Sequence, residues 1–299
     1  MNGNLEHLNE AARAAVDLPI EERLKSLRQA RWITYSRAKE ILARLEDLLL
    51  YPPTHRMPCA LVVGETNNGK TAIMHRFERL HPASDNPNGS AALVPVLTVQ
   101  APPIPEENRF YASILDALNA PYRATESAAR RQVQVLKILK AVGIRLLVID
   151  EVHHIVAGYI GKQRVFLNVL KYMANELRIP LIAVGTVDAV RAIQADPQLA
   201  NRFEPLPLPT WELNREFQTL LASFERTLPL RRPSLLAQER LAAKLLSMSE
   251  GTIGELSRLL IAAASEAIRG GQERIDEATL RRLNWQPPSE RKRRAEGLL

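Results

Sequence analysis

The residues best equipped for chemistry lie in two short runs. Gly64-Glu65-Thr66-Asn67-Asn68-Gly69-Lys70-Thr71 has the spacing G-x-x-x-x-G-K-[ST]. Its glycines let the backbone wrap closely, so that amide hydrogens turn inward to phosphate oxygens. The helix expected after it adds the positive end of its dipole. Lys70 then reaches the β- and γ-phosphates, and the Thr71 hydroxyl holds magnesium. The second run, Leu146-Leu-Val-Ile-Asp-Glu151, ends an apolar segment in two carboxylates. Asp150 can bind Mg2+ directly or through water, and Glu151 can polarise an attacking water as general base. Either run alone has a plain explanation, a glycine turn or a buried strand ending in two solvated acids. Together they predict a P-loop that binds ATP and Mg2+ and hydrolyses the nucleotide.

Bringing the two runs together requires a parallel sheet. Cys59-Ala-Leu-Val-Val, Val94-Pro-Val-Leu-Thr-Val, Leu146–Asp150 and Leu181–Gly185 are short apolar runs of strand length. Leu206-Pro-Leu-Pro reads as a proline-restricted edge strand. Helical spacing at about 109–119, 127–142, 162–177 and 187–194 separates them. Continuous apolar strands alternating with helices predict an α/β fold whose parallel sheet is covered on both faces. Residues 1 to about 52 read as helical, and Pro52-Pro53 stops the last of these helices. After 212 the strands cease, and Asn214–Thr227, Leu235–Met248, Gly254–Ile268 and Asp276–Leu283 read as helices. The expected division is a helical segment at 1–55, the P-loop core at 56–212, a helical piece at 213–285 and a flexible basic tail at 286–299.

Composition narrows the class. Of 299 residues, 46% are hydrophobic, enough for a sizeable core. A net charge of +7 favours polyanionic partners. The lone cysteine, Cys59, has no internal partner and sits in an apolar run, which predicts a buried structural thiol. No signal-peptide core and no run of about 18 apolar residues is present, so a cytoplasmic protein without a membrane span is expected. His153 and His154 invite a metal reading, but adjacent side chains diverge on a helix or turn, and no zinc is expected there.

Further residues point to the AAA+ class. Val184-Gly185-Thr186 ends a strand where Thr186 can hydrogen-bond the γ-phosphate or the attacking water; its plainer role is a helix cap. Asn201-Arg202-Phe203 lies where AAA+ proteins carry an arginine finger to the neighbouring subunit's ATP; its plainer role is a surface salt bridge. The P-loop wording, Val148-Ile-Asp-Glu-Val-His-His-Ile155 and Arg31-Trp-Ile-Thr-Tyr-Ser-Arg-Ala38 resemble the TniB family of AAA+ ATP-binding transposition proteins, which are similar to TnsC. Pro103-Ile-Pro-Glu-Glu-Asn-Arg-Phe-Tyr-Ala112 and Gly251-Thr-Ile-Gly-Glu-Leu-Ser-Arg258 extend the resemblance, from about Ile20 to about Leu283.

The resemblance implies an AAA+ core with an N-terminal helical extension and a C-terminal helical lid. It implies ATP-dependent binding of double-stranded target DNA by a homo-oligomer, as ring or filament. It also implies recruitment or activation of a DDE transposase, together with a target-selection protein. The lid sensor departs from the AAA+ pattern, because Gly254 is followed by Glu255 and the next arginine is Arg258. Candidate DNA contacts fall in three groups: Arg23, Lys25, Arg28, Arg31, Arg37 and Lys39; Arg130, Arg131, Lys137, Lys140, Lys162 and Arg164; and Arg291–Arg294. Rival readings are a helicase-loader-like ATPase, an ATP-gated scaffold with negligible hydrolysis, and a signalling NTPase with no DNA role.

Overall fold

A computed structural model describes residues 5–87, 89 and 91–297. The first four residues of the expected N-terminal segment and the last two of the expected tail lie outside the described residues, as do Asn88 and Ser90. The chain begins with helices α1 (Glu10–Val16), α2 (Ile20–Leu27) and α3 (Ser36–Leu49). Strand β1 (Cys59–Gly64), α4 (Lys70–Leu80), β2 (Val96–Gln100), α5 (Glu107–Ala117) and α6 (Ala128–Ala141) follow. Next come β3 (Leu146–Asp150), a 3-10 turn (Val152–Ala157), α7 (Ile160–Leu177), β4 (Leu181–Gly185), α8 (Val187–Gln194), α9 (Pro197–Ala200) and β5 (Phe203–Leu208). Five helices end the chain: α10 (Arg215–Glu225), α11 (Glu239–Ser249), α12 (Ile253–Arg269), α13 (Glu277–Arg282) and α14 (Pro288–Glu296).

The chain divides into two compact units. The first, Arg37–Pro209, holds the sheet, whose order is β2-β3-β4-β1-β5 with every neighbouring pair parallel. Strands β3 and β4 are buried at every residue, as runs covered on both faces must be. On one face Leu147, Ile149, Leu181 and Ala183 pack with Phe110 and Tyr111 of α5 and Phe166 of α7 in one core; the Phe110 and Phe166 rings meet edge-on at 5.2 Å. Strand β5 lies at the sheet edge, where Pro205 and Pro207 are tolerated. It runs three residues longer toward its N-terminus than its proline pattern indicates. Cys59 is buried as expected, and burial pushes its thiol up to about 11.

The second unit combines the described residues up to Ser36 with those from Thr210 onward and is helical throughout. Arg23 is buried in it, bonded to Glu273 and to the Pro229 carbonyl at 2.6 Å each. Tyr35 meets Trp211 edge-on at 5.2 Å, and burial pushes its hydroxyl up to about 12. Helix α11 starts at Glu239 rather than Leu235, because Leu235 takes a left-handed conformation, φ 56°, that no helix continues through. Within the basic tail expected to be flexible, Pro288–Glu296 forms α14, started by proline in its first turn. Arg291 of α14 pairs with the buried Glu255, and the Ser289 amide donates to Glu250 at 3.1 Å. No helix among the described residues is long and apolar enough to cross a membrane.

Candidate nucleotide-binding site

Strand β4 lies between β1 and β3, so the three C-terminal ends form one short edge of the sheet. Adjacent strands stand about 4.8 Å apart, which sets the P-loop, Thr186 and Asp150 within one nucleotide's reach.

The P-loop is built to bend. Gly69 has φ 87° and Asn67 φ 61°, left-handed values that glycine and asparagine tolerate. Gly64 has no room for a side chain, since a Cβ there would lie 2.5 Å from the Leu208 carbonyl of β5. Asn68 is 2% exposed and donates from Nδ2 to the Leu208 and Pro209 carbonyls at 2.9 Å each. Its side chain thus fastens the loop to the sheet edge, while Glu65, Thr66 and Asn67 stay exposed. Lys70 is buried and donates to the Gly64 and Glu65 carbonyls at 2.8 Å each. Burial pushes its ammonium below the ordinary range, against the pull of Glu151, Asp150 and Glu65. A phosphate would give this desolvated cation a fuller partner than two carbonyls do.

Thr71 Oγ1 donates to Asp150 Oδ2 at 2.7 Å, and Asp150 Oδ1 accepts the Glu151 amide at 2.8 Å. An exposed hydroxyl beside a buried carboxylate is a hard-oxygen donor pair, which fits Mg2+. Glu151 follows with φ 58°, the left-handed corner between β3 and the 3-10 turn. Thr186 caps α8 through its carbonyl, which accepts the Ala189 amide at 2.9 Å, and makes no side-chain capping bond. The plainer use of its hydroxyl as a cap is therefore not the one found.

Arg202 is elsewhere. It directly precedes β5, whose Phe203 pairs with Cys59 at the start of β1, whereas Gly64 at the other end of β1 opens the P-loop. Six residues of strand put about 16 Å between the two edges, so Arg202 does not reach its own chain's phosphate site. Its guanidinium donates to Asn175 Oδ1 at 2.9 Å and borders a cavity of about 400 Å3 with Tyr51, Arg56 and Gln198.

Sequence reasoning missed the surroundings of Glu151. His153 and His154 do not diverge; their ring centroids stand 4.8 Å apart, and His153 Nε2 lies 3.1 Å from Glu151 Oε2. The three residues offer ligand atoms within 4.8 Å of one another. The D-E-x-H spacing was the available signal; the divergence expected of neighbours on a helix or turn is not met by these two histidines, which lie together in the 3-10 turn after the left-handed Glu151. The DNA groups also need correction. Arg23 and Arg131 are each 4% exposed and bonded inward, Arg131 to Asn108 Oδ1 at 2.6 Å, so neither is free to meet phosphate. Lys25, Arg28, Lys39, Arg130, Lys137, Lys140, Lys162 and Arg164 are exposed. Arg258 is exposed and pairs with Glu255 at 3.0 Å.

The comparisons with known proteins agree with this architecture. The family model for bacterial TniB protein matches residues 23–213. No curated protein matches the chain. Among solved structures, the Aeropyrum pernix ORC2 protein in ADPNP–ADP complexes is 17% identical, with a TM-score of 0.61, over 86% of this chain and 70% of that one. The Aeropyrum pernix ORC1 protein in complex with DNA is 19% identical, with a TM-score of 0.59, over 86% and 67%. Drosophila ORC bound to DNA is 16% identical, with a TM-score of 0.57, over 89% and 67%. At these identities the likeness is one of fold, and that fold is the P-loop AAA+ sheet with a helical C-terminal region.

Proposed function

We propose that this chain, which belongs to the TniB family of transposition-associated AAA+ ATP-binding proteins, is an ATP-dependent, DNA-binding regulator of DNA transposition. The observation that carries the reading is the Thr71–Asp150 bond in a chain of that family, because it joins the phosphate loop to the metal carboxylate. In this reading Gly64–Thr71 cradles the triphosphate of ATP, and Lys70 holds the β- and γ-phosphates. Thr71 and Asp150 hold Mg2+, and Glu151 draws the proton from the attacking water. Thr186 meets the γ-phosphate or that water. Arg202 serves the neighbouring subunit's site, which its distance from its own P-loop supports. The helical residues 213–285 act as the lid.

ATP binding commits subunits to a homo-oligomer, ring or filament, on double-stranded target DNA. The oligomer then recruits or activates a DDE transposase, with a target-selection protein as further partner. Lys162 and Arg164, exposed just after the carboxylate pair, are the favoured phosphate contacts. A helicase-loader-like ATPase would share the phosphate site, but the family match over residues 23–213 favours transposition. The presence of Glu151 favours an ATPase over a scaffold that only binds ATP.

Electron microscopy of the protein with duplex DNA and a slowly hydrolysed ATP analogue tests this. Regular assemblies on DNA that vanish without nucleotide are expected. Assembly equal with and without nucleotide, or none on DNA, would refute it.

A further inference from the structure

We propose that His153, braced by His154, is a positioning residue that holds the Glu151 carboxylate ready for water activation. The inference rests on the reading of Glu151 as the general base.

The local backbone creates the arrangement. Glu151 is a non-glycine residue at φ 58°, and such conformations persist only where the surroundings hold them. The corner folds the 3-10 turn back, so that His153 Nε2 comes 3.1 Å from Glu151 Oε2. His153 Nδ1 is buried with no hydrogen-bond partner. Burying an N–H without an acceptor costs more than burying an unused lone pair, so the proton belongs on Nε2. His153 Nε2–H then donates to Glu151 Oε2. The same buried Nδ1 disfavours a transition-metal site at Glu151, His153 and His154, because a metal on Nε2 would put the ring proton on Nδ1, which has no acceptor.

The histidine pair is braced by the ends of two strands. His154 lies 4.8 Å behind the His153 ring, ring centroid to centroid, and its Nδ1 stands 3.4 Å from the Ala101 carbonyl just after β2. The Ala101 amide in turn donates to the Asp150 carbonyl at 2.8 Å. On the other side, Gly185 ends β4 with no space for a side chain. A Cβ there would lie 2.7 Å from the Ala189 Cβ and 3.3 Å from the His153 amide nitrogen. His153 is therefore pinned between the strand that carries Thr186 and the turn that carries Glu151.

The chemistry follows from holding one oxygen. With Oε2 bound, Oε1 is left to accept the water's proton, and the carboxylate need not search for its orientation in each turnover. A base steered by a third group is the general logic of an activated nucleophile.

The test compares His153→Gln, which restores an N–H near the Nε2 position, with His153→Met, which has similar length but no donor. ATP hydrolysis and ATP affinity are measured for both, with His153→Phe and Glu151→Gln in parallel. His153→Met and His153→Phe are expected to lose about tenfold or more in kcat while KM for ATP moves less than about twofold. His153→Gln is expected to recover most of the rate. Parent-like turnover in His153→Met, or a His153→Gln as slow as His153→Met, overturns the proposal. Should the aromatic variant fail to bind ATP, the two open-chain variants still decide. If Glu151→Gln is itself as fast as the parent, the base assignment falls and His153's role falls with it. If Glu151→Gln is slow and His153→Met is not, only the His153 assignment is lost.

Discussion

Thr71 Oγ1 and Asp150 Oδ2 are joined by a 2.7 Å hydrogen bond across 79 residues of sequence. It ties the first turn of α4 to the end of β3, with β4 and β1 of the sheet carrying the connection behind it. The bond occupies the position where both groups would ligate Mg2+. Were Mg2+ bound, these two residues would hold it, Thr71 through its hydroxyl and Asp150 directly or through water.

Lys70→Ala should lose ATP while staying folded. The ammonium already satisfies two carbonyls within the loop, and alanine leaves those carbonyls to solvent rather than to a clash. Charge-assisted bonds worth about 1.5–3 kcal/mol correspond to a roughly 10- to 100-fold weaker affinity. Titration with a fluorescent ATP analogue reads it, and parent-like affinity would refute the phosphate assignment.

Glu151→Gln should keep ATP and lose hydrolysis by about 10^2-fold or more, because the amide cannot take a proton. Phosphate release against a nucleotide-binding control checks the split between kcat and affinity. An unchanged rate would remove Glu151 as the base.

Arg202→Ala should fold and bind ATP, yet hydrolyse at least about tenfold more slowly, since a trans-acting arginine can contribute about 10^3- to 10^5-fold. Mixing sharpens the test. Arg202→Ala subunits keep Lys70 and Glu151, and Glu151→Gln subunits keep Arg202, so a mixed assembly contains sites with both groups intact. Activity that rises on mixing supports a role across the interface. Mixtures no better than the mean of the two variants count against it.

DNA affinity should fall steeply with salt. Six phosphate contacts would cost about 10^3-fold between 50 and 200 mM. Lys162→Ala with Arg164→Ala should lower the salt slope by about 2, one for each lost phosphate contact. An unchanged slope in the double variant, measured by fluorescence anisotropy, would move the DNA surface elsewhere.

Arg23→Ala should destabilise its helical unit by about 3 kcal/mol, because it strips the partner from a half-buried carboxylate. Burial raises the Glu273 carboxyl, but its bonds to Arg23 and to the Arg231 amide outweigh this and hold it below its ordinary value of 4.5. A depressed folded value means that the stabilisation is complete above the unfolded pKa and is lost as pH falls through the folded one. The gap in melting temperature between parent and variant should thus be full near neutrality and narrow below about pH 4.5. A pH-independent gap would assign the loss to packing alone.

The parts that depend on spacing were legible in sequence. The G-x-x-x-x-G-K-T run and the apolar strand ending in Asp150-Glu151 specify their own geometry, and the strand–helix alternation predicts the parallel sheet. The parts that depend on single backbone angles were not. Nothing in the letters marks Glu151 or Leu235 as left-handed, yet one re-aims His153 and the other delays α11 by four residues. Buried charges were hidden as well. Arg23 and Arg131 sit in helices of ordinary amphipathic pattern, and only their distant partners Glu273 and Asn108 distinguish them from solvated arginines.

Arg202 and the P-loop lie at opposite ends of the paired strands β5 and β1, which gives the chain two unlike ends. If the arginine of one subunit completes the next subunit's site head to tail, rather than two subunits exchanging arginines across a twofold axis, the interface is heterologous. Each added subunit leaves a fresh unmatched edge, so growth stops only by closing a circle. An open chain of subunits would carry one terminal site without its arginine, and hydrolysis would be slowest there. Such a chain has a direction, and a partner that recognises only one unmatched edge would find it at one end of the assembly alone.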